Sequence, residues 1–307
     1  MSKFYSLTGG CLMALVLMFT ACSQKQAPGK EAEGKIDSAT IYCDEAFKDL
    51  IGQEIKIYEF ELPDKHINVV YTTEAEALKR LSTDSMAMII IGRRLHEQER
   101  SDILKRTNLQ AEEHTFATDA VAVVAGPGLD RDTIAFTTVL SLLTNSSHDY
   151  DLVFEGNGSG VINYMFAQIA QTSVHPSAFA AKNIDELADY LRKDKKAIGF
   201  IPFSRISDEH DTSATDLLKK VKVLYVSKAD STGHLVSATA CQSEIADGSY
   251  ALDRPINLIL HTMDEKVGTG FVNFLYRERS GRIILKAGLV PFIMPQRVIN
   301  VNTDGIK

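Results

Sequence analysis

Tryptophan is absent from the 307 residues, cysteine occurs four times, proline eight times and glycine nineteen times. Four cysteines are too few to build a disulfide scaffold of this size, and ordinary proline and glycine contents exclude a fibrous repeat or a largely disordered chain. No polybasic block is present, and 33 basic against 40 acidic side chains leave a formal charge of -7. A nucleic-acid face would work against that field, so nucleic acid is discounted as a partner. The eight histidines form no His-x-His or His-Glu-x-x-His pair. No metal site or cofactor is therefore signalled, and His210 in SDEHD reads as a solvated loop residue. What is present in quantity is apolar side chain: 45% of the chain is hydrophobic, enough to bury two lobes.

The N-terminus differs from the rest. Lys3 gives a short positive start, Gly9 to Phe19 is apolar but too short to span a bilayer, and Thr20-Ala21-Cys22 follows at once. Residues 1–21 therefore read as a lipoprotein signal peptide, with Cys22 as the lipidated residue; an ordinary secretory peptide cut nearby is the alternative. Phe19 departs from the aliphatic residue that the lipoprotein pattern asks for, while its small-small-Cys core is intact. Residues 22–36 are polar and read as a flexible tether. The expected location is the bacterial cell envelope, lipid-anchored, on the periplasmic side. Cys11 falls in the removed segment, so Cys43 and Cys241 remain, either bridged or as two buried thiols.

From Ala39 onward short apolar runs alternate with segments of helical period, the pattern of an α/β fold with largely parallel pairing. Ala39–Cys43, Ile67–Tyr71 and Met86–Ile91 read as strands. Phe47, Leu50, Ile51, Ile55 and Tyr58 share one helical face between the first two, and Thr72 and Thr73 offer an N-cap before Leu78 and Leu81. Thr115–Ala125 alternates like a long strand, with Gly126-Pro127-Gly128 as a crossing point. Strands near Leu152–Phe154, Ala197–Phe203 and Val221–Val226 form a central block, and Asp253–His261 suggests a return crossing. The fold class is accordingly α/β: two lobes joined by a two-strand hinge, lobe one from 37–118 and 252–307, lobe two from 119–251.

The richest segment is Glu155-Gly156-Asn157-Gly158-Ser159-Gly160, which opens a helix. Free N–H groups at a helix start, flanked by small residues, hold an oxyanion by hydrogen bonds, and the helix dipole adds to them. A tight turn with no ligand would look the same. No Gly-Lys-Ser/Thr follows, so this is not a P-loop, and it lacks the Gly-x-Ser-x-Gly order of a nucleophile elbow. Ser159 is thus a hydroxyl donor rather than an attacking group, and no nucleophile-base pair marks an enzyme.

Together with that turn, Asp119-Ala-Val-Ala-Val-Val, Ala197-Ile-Gly-Phe-Ile-Pro, Gly248-Ser-Tyr250-Ala-Leu-Asp-Arg254-Pro255 and Gly281-Arg-Ile-Ile-Leu-Lys-Ala-Gly288-Leu-Val-Pro291 occur in an order that resembles the phosphate-binding (PstS-like) component of ATP-driven importers. The resemblance runs from about Ala39 to Asn302. It implies a type II periplasmic-binding fold, a monomer that clamps phosphate or a similar oxyanion between its lobes, and an ABC permease as partner. The departures are local: Glu155 stands where the family has an anion-pairing arginine, Asn157 for its aspartate and Val161 for its threonine. Cys43-Asp44-Glu45 replaces its small hydroxyl residue, and its second donor loop corresponds to Thr72-Thr73-Glu74.

An unpaired carboxylate about 4 Å from a dianion is repelled by roughly 4 kcal/mol per charge pair at an effective dielectric near 20. Glu155 and Glu74 must therefore turn outward or pair with Arg93 or Arg205, unless the solute is not a free dianion. Arg254 and Arg297, beside prolines, read as structural salt-bridge residues. The expected ligand set is Asn157, Gly158, Ser159 and Gly160, with Arg93 as the cation, Thr72 and Thr73 as supporting donors and Glu45 at the first strand end. The alternatives are a cleft converted to another solute, such as an organic phosphate or a zwitterion, and a sensor or scaffold lipoprotein that no longer transports.

Overall fold

The computed structural model describes residues 37–144, 150–156, 159–169, 178–261 and 266–296. The expected signal peptide, the tether with Cys22, and Asn157, Gly158 and Arg297 lie outside the described residues. Among those described, no helix is long and apolar enough to cross a membrane.

The chain opens on β1 (Asp37–Asp44), and one 3-10 turn at Glu45–Phe47 leads into α1 (Lys48–Glu61). Asp44 Oδ1 accepts from the Ala46 N–H at 2.9 Å and starts that turn. The helical face read from the sequence is the buried one: Phe47, Leu50, Ile51, Ile55 and Tyr58 are all in the core, each contributing roughly 1.5–3 kcal/mol of apolar burial. β2 (Lys65–Thr72) pairs with β1 in parallel, from Asp37 opposite Lys65 to Asp44 opposite Thr72. That register brings Asp44 and Thr72 together at one end of the sheet. Thr73 caps α2 (Glu74–Leu81), its hydroxyl accepting from the Glu76 N–H at 3.3 Å. β3 (Met88–Ile91) is buried throughout because both its faces are covered. Met88 and Ile90 face the main core, while Ile89 and Ile91 face a smaller cluster with Ala77, Leu81 and Ile103, the last of these from α3 (Glu97–Thr107).

β4 (Ala111–Ala125) is the long strand expected from its alternation. The elements that follow are β5 (Thr133–Ala135), α4 (Phe136–Thr144), β6 (Asp151–Glu155), α5 (Gly160–Gln168), β7 (Phe179–Ala181), α6 (Ile184–Lys193), β8 (Ala197–Pro202), α7 (Thr212–Lys220), β9 (Lys222–Val223), β10 (Tyr225–Ala229), β11 (Leu235–Ala238) and α8 (Gln242–Ala246). β12 (Asp253–His261) then runs back, followed by α9 (Lys266–Leu275), α10 (Glu278–Lys286) and β13 (Val290–Pro291). The main sheet has the order β2-β1-β3-β12-β4-β8-β6-β7, with β9 and β13 also on β4; β11-β10-β5 form a second sheet.

Pairing is parallel in both wings, β2-β1-β3 and β8-β6-β7, and antiparallel at β12 and β4. The wings are βα units, as the sequence suggested; the centre is two long strands running in opposite directions. Residues 111–120 of β4 pair with β12 and Val121–Ala125 pair with β8. The change of partner therefore lies inside the strand and not at Gly126-Pro127-Gly128. Gly126 has a different reason to be glycine: a Cβ there would sit 1.9 Å from the Leu191 carbonyl oxygen of α6. Cys43 is buried, Cys241 is half-buried, and both thiols are free.

Candidate functional site

The ends of β1, β2, β6 and β8 and the start of α5 converge on one cleft of about 290 Å³, the place where α/β sheets with parallel strands present their loops to ligands. Its wall carries Asp44, Glu45, Thr72, Thr73, Glu155, Gly156, Ser159, Gly160, Lys182, Arg205 and Arg254. Five of the residues expected from sequence are there: Glu45, Thr72, Thr73, Ser159 and Gly160. Arg93, expected as the cation, is not on this wall. Asn157 and Gly158 belong to the same turn but lie outside the described residues.

The carboxylates that threatened an anion site are paired, along both of the routes the charge argument required. Glu74 is fully buried, and its Oε1 accepts from Arg93 Nε at 2.7 Å and from Asn163 Nδ2 at 2.8 Å. Arg93 uses its other two nitrogens on Glu99, at 2.8 Å each, and on the Arg94 carbonyl. Burial works to lower the Arg93 pKa, but the bond to Glu99 and the charges of Glu74 and Glu99 outweigh it and raise it. Every nitrogen of this arginine is thus bonded within the protein. Glu155 Oε1 accepts from Arg205 Nη2 at 3.3 Å. Burial raises the Glu155 pKa, with Arg205 opposing and Asp44 and Glu45 adding to it.

Arg254 behaves differently. It stands opposite Asp119 across the β4–β12 ladder, and Nε and Nη2 both donate to Asp119 Oδ2, at 3.0 and 2.7 Å. Its guanidinium lies over the Phe47 ring, 5.3 Å from the centroid, and glycine at position 92 leaves it space, since a Cβ there would sit 2.7 Å from Nη1. The side chain is fully buried, yet Nη1 has no hydrogen-bond partner among the described residues. The sequence reading of Arg254 as a structural salt bridge describes two of its nitrogens; the third is buried beside Gly92 and Gly160 without a partner among the described residues.

Three further buried atoms on this wall lack partners: Asp44 Oδ2, Ser159 Oγ and Arg205 Nε. Ser159 occupies the N-cap position of α5 but makes no capping bond, so its hydroxyl is not spent on the helix. Gly160 is glycine because the chain packs tightly: a Cβ would fall 2.7 Å from both Asp44 Oδ2 and Glu74 Oε2. Burial first, then the charge of Glu74, push the Asp44 carboxyl up to about 6, against the opposing effects of the Ala46 and Gly160 N–H groups and Arg254. Buried polar groups are satisfied in the great majority of cases, so these four orphan atoms, all on residues of one cleft, single it out as the candidate site. Among the described residues no cluster of His, Cys, Asp and Glu could hold a metal ion.

A family model described as a PBP superfamily domain matches residues 28–279. The chain belongs to that superfamily. Among solved structures, this PBP chain is similar to a putative phosphate ABC transporter substrate-binding protein with bound phosphate from Clostridium perfringens, at 16% identity and a TM-score of 0.63, covering 83% of this chain and 99% of that one. An ABC-type phosphate transport receptor from Vibrio cholerae matches at 17% identity and 0.64, covering 83% and 100%. The CcmR regulatory domain from Synechocystis, in complex with 2-PG, matches at 11% identity and 0.50, covering 78% and 95%. No curated protein matches the sequence. At these identities the likeness establishes the two-lobed periplasmic-binding fold; the solute is argued from the cleft.

Arg254 and Asp44 are the site residues that sequence reasoning passed over. The available signal was a basic and an acidic residue, Asp119 and Arg254, inside two otherwise apolar crossing strands.

Proposed function

We propose that this chain is an extracytoplasmic solute-binding lipoprotein, anchored through Cys22, that captures phosphate or a related oxyanion for an ABC permease. Lobe one (37–118 and 252–307) and lobe two (119–251) would close on the solute. The observation that carries this reading is the set of unpartnered atoms on the cleft wall. Arg254 Nη1, Arg205 Nε and the Ser159 hydroxyl supply donors, and Asp44 Oδ2 supplies an acceptor. Three donors suit oxyanion oxygens, and the one acceptor suits an oxygen that still bears a proton. Thr72 and Thr73 stand beside them at the end of β2. The proposed role is capture: among the described residues no base is bonded to the Ser159 hydroxyl to remove its proton.

Titration calorimetry tests this directly. Phosphate, or an organic oxyanion, is expected to bind with a 1:1 stoichiometry, and sulfate, which carries no proton at neutral pH, at least tenfold more weakly. Silence toward every oxyanion at millimolar concentration would exclude the reading. For the anchor, Cys22→Ala is expected to shift the expressed protein from the membrane to the soluble fraction; unchanged sedimentation with membranes would rule out acylation at Cys22.

A further inference from the structure

Two features of the cleft go beyond an inorganic oxyanion. The first is size. About 290 Å³ lies near the lower end of the about 300–1,000 Å³ clefts that hold small organic ligands.

The second is charge. On the wall itself Asp44, Glu45 and Glu155 are balanced by Lys182, Arg205 and Arg254. Glu74 and Glu99 share Arg93, and Asp119 takes Arg254 from the wall set. The surroundings thus hold two more acids than bases, and a dianion would deepen that excess. The acceptor side of the cleft is also built: Asp44 is 6% exposed, its Oδ2 is unpartnered, and the charges of Glu45 and Glu155 lie on the same wall. Arg254 is not in ion-pair contact with Asp44, because its one salt bridge is to Asp119 at 2.7 Å. A positive group arriving with the solute would find Asp44 Oδ2 without a hydrogen-bond partner among the described residues.

Resting on the oxyanion reading above, we propose that the solute is a small zwitterion, its oxyanion held by Ser159, Arg205 and Arg254 and its ammonium group by Asp44, with Glu45 and Glu155 beside it. The ammonium supplies the positive charge that the surroundings lack, and its three N–H donors suit carboxylate oxygens.

A matched pair decides the point. Calorimetry on the purified chain compares 2-aminoethylphosphonate with ethylphosphonate, which differs by the ammonium alone, alongside inorganic phosphate and β-alanine. The expected result is that 2-aminoethylphosphonate, or β-alanine if the anionic end is a carboxylate, binds at least tenfold more tightly than ethylphosphonate and phosphate. Asp44→Asn is expected to reduce that preference to within about twofold; a preference retained in a folded Asp44→Asn protein would overturn the assignment of Asp44. If ethylphosphonate or phosphate binds as tightly as the aminated probes, the zwitterion proposal fails and the oxyanion reading stands. If no probe binds, both fail. Should the Asp44→Asn protein not fold, the wild-type pair decides alone.

Discussion

Two buried arginines, Arg93 just after β3 and Arg254 at the start of β12, differ in one respect. Arg93 is 5% exposed and spends every nitrogen on Glu74, Glu99 and the Arg94 carbonyl. Arg254 is fully buried, spends two nitrogens on Asp119, and leaves Nη1 unpartnered on the cleft wall. Sequence position favours Arg93 as the ligand-binding cation, since it follows a strand directly, and favours Arg254 as scaffold. The bonding leaves the unspent nitrogen on Arg254, the cation of the proposed site. What separates the two guanidiniums is not burial or a salt bridge, which both have, but whether every nitrogen is already bonded within the protein.

The most demanding way to break this comparison is to remove each side chain. Arg93→Met leaves Glu74 buried without its partner, and Arg254→Met does the same to Asp119; removing one partner of a buried pair costs about 3–5 kcal/mol. Chemical denaturation is expected to show losses of that size for both variants. A loss under about 1 kcal/mol for either one would show that its carboxylate is not held as described. The milder change separates the two by function. Arg93→Lys is expected to leave solute affinity within about twofold, whereas Arg254→Lys loses the planar fork and with it the third donor. A hydrogen bond to a charged group is worth about 1.5–3 kcal/mol, so affinity for the best oxyanion should fall by about 10-fold to 100-fold in calorimetry. Equal effects from the two lysine variants would erase the distinction.

The same contrast explains what was legible in the sequence. The wings of the fold were readable because each strand and helix there is a local pattern: Met88–Ile91 is apolar on both faces, and Phe47 to Tyr58 repeats at helical spacing. The glycine-rich turn was readable because Ser159 and Gly160 adjoin a helix start. The centre of the sheet was less so, because the change of partner in β4 at Val121 has no punctuation in the chain. Arg254 was hidden for a related reason: its partner Asp119 is 135 residues away, and only the β4–β12 register brings them together. Asp44 was visible as a departure from the family pattern, but its use depends on how closely Gly160 packs against it, a tertiary fact.

A buried carboxylate with no arginine sharpens the comparison further. Glu54 is fully buried between α1 and α10, its Oε1 accepts from the Ser280 hydroxyl at 3.0 Å, and its Oε2 has no partner. Burial pushes its carboxyl from the ordinary 4.5 up to about 8, the Ser280 bond opposing only weakly. In the folded protein the group keeps its proton between those values, while the unfolded chain has lost it. The folded state therefore binds more protons, and the stability that Glu54 contributes is complete below about pH 4.5 and is lost as pH rises to about 8. The slope is at most about 1.4 kcal/mol per pH unit. Glu54→Gln is expected to flatten that part of the stability profile measured by denaturation from pH 5 to 8. An unchanged slope would mean the carboxyl is ionised and has a partner after all.

The smallest effect on stability concerns the fourth orphan. Ser159 sits at an N-cap without capping, so Ser159→Ala removes no bond from the folded protein, and its stability should stay within about 0.5 kcal/mol of wild type. An N-cap serine that does bond its helix costs about 1 kcal/mol on the same change. The hydroxyl's contribution should appear only on binding, where one hydrogen bond to a charged oxygen is worth about 1.5–3 kcal/mol, or roughly a 10-fold to 100-fold loss of affinity. If the alanine variant instead unfolds more readily and binds as wild type, the hydroxyl belongs to the helix and not to the solute, and Arg254 with Arg205 would have to hold the oxyanion without it.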